Sequence, residues 1–108
     1  MDTVLFSQNA KLEDLGAGVT RKILLYNENI MPVEVHFEKG SIGTSHSHPH
    51  TQITYVLEGS FEFTIEGKPV VVHKGDTLLF PPHIEHGTTC LEKGTLLDVF
   101  TPYREDFI

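Results

Sequence analysis

Three observations predict an all-β fold for this 108-residue chain, in a single domain spanning residues 1–108. Short β-type runs recur at nearly regular spacing, glycine- or proline-bearing turns separate them, and no segment carries a convincing helical period. Many short antiparallel strands at such spacing make a sandwich or a small barrel. The length suits one compact core, since a chain of this size buries roughly two-thirds of its unfolded surface. A content of 39% hydrophobic and 21% charged residues is ordinary globular usage and excludes disorder.

Taken in order, Thr3–Phe6 is a short run suited to pairing with a neighbouring copy, and Leu12–Leu15 has room for a helical turn. Strands are predicted at Arg21–Tyr26 and at Val33–Phe37, where Val33, Val35 and Phe37 alternate with Glu34 and His36. Ile53–Leu57 and Phe61–Ile65 follow, the second alternating Phe61, Phe63 and Ile65 with Glu62 and Thr64. Val70–His73, Thr77–Phe80, Gly87–Leu91 and Thr95–Thr101 complete the set. Glu58-Gly59-Ser60, Glu66-Gly67-Lys68, Lys74-Gly75-Asp76 and Glu92-Lys93-Gly94 read as the hairpin or tight-turn segments between them.

Charge narrows the partners. Fifteen acidic against eight basic side chains give a net charge of −7, which argues against nucleic acid because phosphate binding needs clustered Lys and Arg. A small anionic substrate in a locally positive pocket stays compatible. The single cysteine, Cys90, has no internal disulfide partner and reads as a small buried hydrophobe. The first ten residues show no signal-peptide pattern, and no run approaches the ~20 apolar residues of a membrane span. The expectation is a cytoplasmic protein without a membrane partner.

Seven histidines stand in the chain, and their placement matters more than their number. His46 and His48 are two apart, so on an extended strand both rings leave the same face, and Gln52 shares that parity. His86 follows the rigid Pro81-Pro82 pair. Imidazole is the commonest protein donor to transition metals, and three imidazoles with an open position make a catalytic rather than a closed site. Ordinary hydrogen-bonded histidines are the alternative reading of a lone His-x-His.

With its glycines and prolines the pattern becomes Gly40-x5-His46-x-His48-x3-Gln52-x6-Gly59, then Gly75-x5-Pro81-x4-His86. This resembles the two motifs of the cupin family, which implies a jelly-roll β-barrel. The first motif departs at Gln52, where most cupins have glutamate. The second departs at His83, where glycine is usual, and at Cys90, where asparagine is usual. Position by position, the resemblance puts the metal ligands on His46, His48, Gln52 and His86, holding one divalent transition ion (nickel, zinc, iron, manganese or cobalt). Three histidines and a glutamine neutralise none of that ion's charge, so it would stay a strong electrophile with affinity for anions. A barrel-lining amide is the other reading of Gln52. His50 and His83 are taken as rim or structural residues, and His36 and His73 as solvated strand residues.

Further stretches are more specific: Arg21-Lys22-Ile23-Leu24, Tyr26-Asn27-Glu28, Met31-Pro32-Val33-Glu34-Val35, His46-Ser47-His48-Pro49-His50, Tyr55-Val56-Leu57-Glu58-Gly59 and Leu91–Phe107. Together they resemble a pectin-degradation branch of the cupins. That resemblance implies linearisation of 4,5-unsaturated monouronates to open-chain 5-keto sugar acids, with catalytic residues at Asp98, Phe100 and Arg104, and a homodimer. The residues agree on their own terms. Asp98 and Phe100 face one side of an apolar strand, a carboxylate in such surroundings can be tuned for proton transfer, and Arg104 offers a planar fork for a substrate carboxylate. The alternatives are a structural pair or turn contact for Asp98, core packing for Phe100 and a solvated charge for Arg104. Two other function classes use the same barrel: a quercetinase-like metal-dependent dioxygenase, and a sugar-binding cupin without catalysis.

Overall fold

A computed structural model describes residues 2–108. The strands are β1 (Leu12–Gly16), β2 (Val19–Ile23), β3 (Met31–Phe37), β4 (Ile42–His46), β5 (Thr51–Ile65), β6 (Lys68–His73), β7 (Thr77–Phe80) and β8 (His86–Thr101). Short 3-10 turns cover Ser7–Asn9 and Glu105–Phe107. All strand pairing is antiparallel, in the order β1-β2-β3-β8-β5-β6, with β4 added to β8 and β7 to β5. This is the all-β jelly roll that the sequence predicts.

The central pair differs from expectation. Four predicted strands are two long ones, and Glu58-Gly59-Ser60 and Glu92-Lys93-Gly94 are not hairpins but register shifts inside β5 and β8. The cause is close contact between the two strands. Gly59 has φ +82, and a Cβ there would meet the carbonyl oxygens of Glu92 and Lys93 at 2.5 Å; a Cβ on Gly94 would strike the Glu58 carbonyl. Only glycines let the ribbon bend at this point. Beyond the bend the inward parity changes, from Gln52, Thr54 and Val56 to Phe61 and Phe63.

The bend makes two layers from one ribbon. The 51–58 half of β5 pairs with the 95–101 half of β8 and continues to β3 and β7, while the second halves continue to β4 and β6. Val56 and Leu96 from one half pack with Phe61, Phe63 and Cys90 from the other, beside Phe37, Val72 and Phe80. Each large side chain so enclosed contributes roughly 1.5–3 kcal/mol. Cys90 is the buried hydrophobe expected, with burial pushing its thiol pKa up.

Two strands, β1 and β4, have no counterpart in the sequence pattern. The 12–15 segment is β1, an edge strand whose leucines are exposed and therefore carry no core pattern; a tight turn with positive φ at Gly16, Ala17 and Gly18 follows it. β4 is short and polar but is held by pairing with β8. Residues 3–6 form no strand. The Glu66-Gly67 hairpin is as predicted, with positive φ at both residues and Ile65 opposite Lys68. Among the described residues no helix is long and apolar enough to cross a membrane.

Candidate metal centre and its acid–base neighbours

Strand register brings the first two histidines together. His46 ends β4 and His86 begins β8, and the two are directly paired, with ring centroids 4.7 Å apart. His48 lies just past β4, so the strand-parity argument does not place it. A hydrogen bond from the His83 N–H to the His48 carbonyl (2.8 Å) fixes that link instead. Its ring stands 5.3 Å from His46 and 5.2 Å from His86. One nitrogen from each ring lies within 4.8 Å of the others.

The ring orientations suit a cation. His46 Nδ1 and His86 Nδ1 donate to the backbone carbonyls of Thr44 (2.8 Å) and Ile84 (2.9 Å), which leaves each Nε2 as the lone-pair atom. Phe80 stacks on His86 at 4.1 Å and 5°, locking its plane. Three buried ring nitrogens have no hydrogen-bond partner: His86 Nε2, His48 Nδ1 and, outside the cluster, His50 Nδ1. An orphaned buried nitrogen costs about 1–3 kcal/mol, so the unpartnered His86 Nε2, on a ring of the three-histidine group, is a good fit for a bound cation. Burial pushes the His48 pKa down to about 4, against the Gln52 hydrogen bond and with help from the Arg104 charge; burial also lowers His86. Both rings are therefore neutral donors at physiological pH.

Gln52 is buried on the inward face of β5, with Oε1 2.9 Å from His48 Nε2 and Nε2 donating to Thr54 Oγ1 at 2.9 Å. Thr54 in turn donates to Asp98 Oδ1 at 2.7 Å. Burial pushes the Asp98 carboxyl up to about 6, although Thr54, Gln52, His46 and Arg104 all act to lower it. Thr54 is a site residue that the histidine and glycine motifs do not point to. Its signal was the parity it shares with Gln52 on an alternating strand.

Arg104 is neither solvated nor paired with Asp98. It is buried, and its Nε and Nη2 donate to Asp106 Oδ1 (3.0 Å) and Oδ2 (2.8 Å). Its guanidinium lies over Phe107 at 4.2 Å and Phe100 at 5.0 Å. Asp106 takes two of five N–H donors, and the others stay available to a ligand. Phe100 packs in the core cluster with Met31 and Val33 while meeting the His48 ring edge-on at 5.7 Å. A cavity of about 120 Å³ is lined by His46, Gln52, His86, Asp98, Phe100 and Arg104. Larger hollows of about 660 and 580 Å³ lie elsewhere and take in none of these residues.

The remaining histidines fall outside the cluster. His50 Nε2 donates to the Tyr103 carbonyl at 3.1 Å, tying down the segment that carries Arg104. His83 has an exposed ring and φ +68, the backbone conformation that explains why glycine is usual there. His36 bridges Glu34 (2.9 Å) and Thr95 (3.2 Å) rather than standing free, whereas His73 is exposed.

A jelly roll with inward-facing histidines at one mouth defines a class, and residues 33–100 match the Cupin domain family: the chain is a cupin. Within that class, it is 46% identical over 98 residues to the pectin degradation protein KdgF of Dickeya dadantii, covering 89% of each chain. Two solved structures superpose along its whole length. KdgF from Halomonas sp. is 34% identical with a TM-score of 0.94, and all of that chain is covered. An RmlC-like cupin from Shewanella frigidimarina is 39% identical with a TM-score of 0.95, over 97% of that chain.

Proposed function

We propose that this cupin acts in pectin degradation as a metal-dependent enzyme that opens 4,5-unsaturated monouronates and ketonises them to linear 5-keto sugar acids. One observation carries the reading: His46 and His86 of the three-histidine cluster, a carboxyl with its pKa raised to about 6 and a buried arginine all line one cavity. The resemblance to KdgF supplies the substrate class.

The substrate is a cyclic hemiacetal whose ring oxygen adjoins a C4=C5 double bond beside a carboxylate. Opening removes the C1 hydroxyl proton, breaks the C1–O5 bond to leave an aldehyde and a C5 enolate, and adds a proton at C4; the reaction is a net isomerisation. A divalent cation held by His46, His48, Gln52 and His86 would supply electrophilic stabilisation of the enolate and carboxylate oxygens. Arg104, with donors beyond those used by Asp106, binds the carboxylate. Phe100 walls the ring side of the cavity. Asp98, with a carboxyl pKa of about 6, exchanges protons with the substrate near neutral pH.

The test follows loss of the ultraviolet absorbance of an unsaturated uronate, with and without oxygen. Asp98→Asn keeps shape but not proton exchange, so kcat should fall roughly 10²–10⁴-fold with little change in KM. Turnover should continue without oxygen, and deuterium from heavy water should enter at C4. Parent-like turnover by Asp98→Asn, or an oxygen requirement, overturns the reading.

A further inference from the structure

We infer that Thr54 is a positioning residue whose hydroxyl decides which atom of the Gln52 amide faces the histidine cluster. The inference rests on the metal centre proposed above. Thr54 is completely buried, and it sits directly opposite Asp98 in the β5–β8 ladder, between Gln52 and Val56 on the inward face of β5.

The polarity of the contacts follows from elementary hydrogen-bond capacity. An ionised carboxylate only accepts, so the one hydroxyl proton of Thr54 is committed to Asp98 Oδ1 at 2.7 Å. The hydroxyl has only lone pairs left to offer, and the Gln52 atom 2.9 Å away is therefore the NH2 group. The other end of the amide, Oε1, is then directed at His48 Nε2, 2.9 Å away. A reversed amide would set oxygen against oxygen at Thr54 and an N–H donor among the ring nitrogens. Only the observed sense presents a cation with an oxygen ligand, and Thr54 enforces it from a rigid strand.

Valine has nearly the shape of threonine and lacks both functions. The test is Zn²⁺ affinity of the metal-free chain, measured by competition with a chelating dye, with circular dichroism and melting as the fold check. Thr54→Val should weaken Zn²⁺ binding by roughly 10–100-fold, the usual cost of losing a residue that orients a ligand. Thr54→Ser should stay within about threefold of the parent, because it keeps the hydroxyl. In a Gln52→Glu background both ends of residue 52 are oxygen, so adding Thr54→Val should change affinity by less than about threefold. Parent-like affinity in Thr54→Val overturns the inference, as does an equal loss in the Gln52→Glu background, which would mark a packing effect. If the valine chain does not fold, Thr54→Ala is read by the same criteria. A parent chain that takes up no Zn²⁺ ends the metal reading and this inference together, whereas uptake indifferent to Thr54 ends this inference alone.

Discussion

Asp98 and His48 carry opposite pH signatures within one site. The raised Asp98 pKa means that the folded chain holds its proton more tightly than the unfolded chain does, so that contribution is present below about pH 4 and is lost as pH rises through about 6. The lowered His48 pKa works the other way: its contribution is complete above 6.5 and is lost as pH falls toward about 4. The two largely offset in the parent. Asp98→Asn removes only the first, a penalty of roughly 3 kcal/mol at pH 8. Urea unfolding in the presence of a chelator should therefore show Asp98→Asn more stable than the parent at pH 8, with the advantage gone near pH 4. Equal midpoints at pH 8 would contradict the buried-carboxylate account. At this scale the sequence was readable where chemistry is concentrated in residue type and spacing, as with His46, His48 and His86. Thr54 and Asp106 were harder to read, because a threonine on an alternating strand and an acid near a C-terminus are ordinary residues until their hydrogen bonds to Gln52, Asp98 and Arg104 are seen.

Strands whose faces alternate, such as β3 and the Phe61–Ile65 part of β5, were legible from their periodicity. β1 and β4 were not, since an exposed edge and a short polar strand take their structure from a partner rather than from their own pattern. The double bend was hidden for a different reason: a glycine among polar residues signals a turn and a bulge alike. Two substitutions separate those roles. Gly67 has φ +80 and open space around it, so Gly67→Ala should cost about 1–2 kcal/mol from backbone strain alone. Gly59→Ala adds collision with two backbone carbonyls that have nowhere to move, and should cost at least 2 kcal/mol more, within the range of severe backbone substitutions. Denaturant midpoints for the two variants check this; equal losses would mean that the bend is not set by close approach.

Across the whole molecule, the β5–β8 ribbon pairs Ile65 with His86 at its inner end and Thr51 with Thr101 at its outer end. The bend folds this ribbon in two, so His86 from the inner end and Gln52 from the outer end line the same cavity. A cation joining them would act as a clasp between the two ends of a zipper. In kinetic language, the inner end closes the shorter loop and should pair early, while the site is complete only when the last rungs have formed. Bound Zn²⁺ should consequently slow unfolding far more than it speeds folding. His86→Ala should abolish that effect while keeping the parent's β-type circular dichroism and metal-free unfolding rate to within about tenfold, because the apolar core carries most of the stability. Stopped-flow unfolding with and without Zn²⁺ measures it directly. In a protein of this design the fold would open only after the ion had left, so the ion's residence time would add to the lifetime that the apolar core already gives the fold.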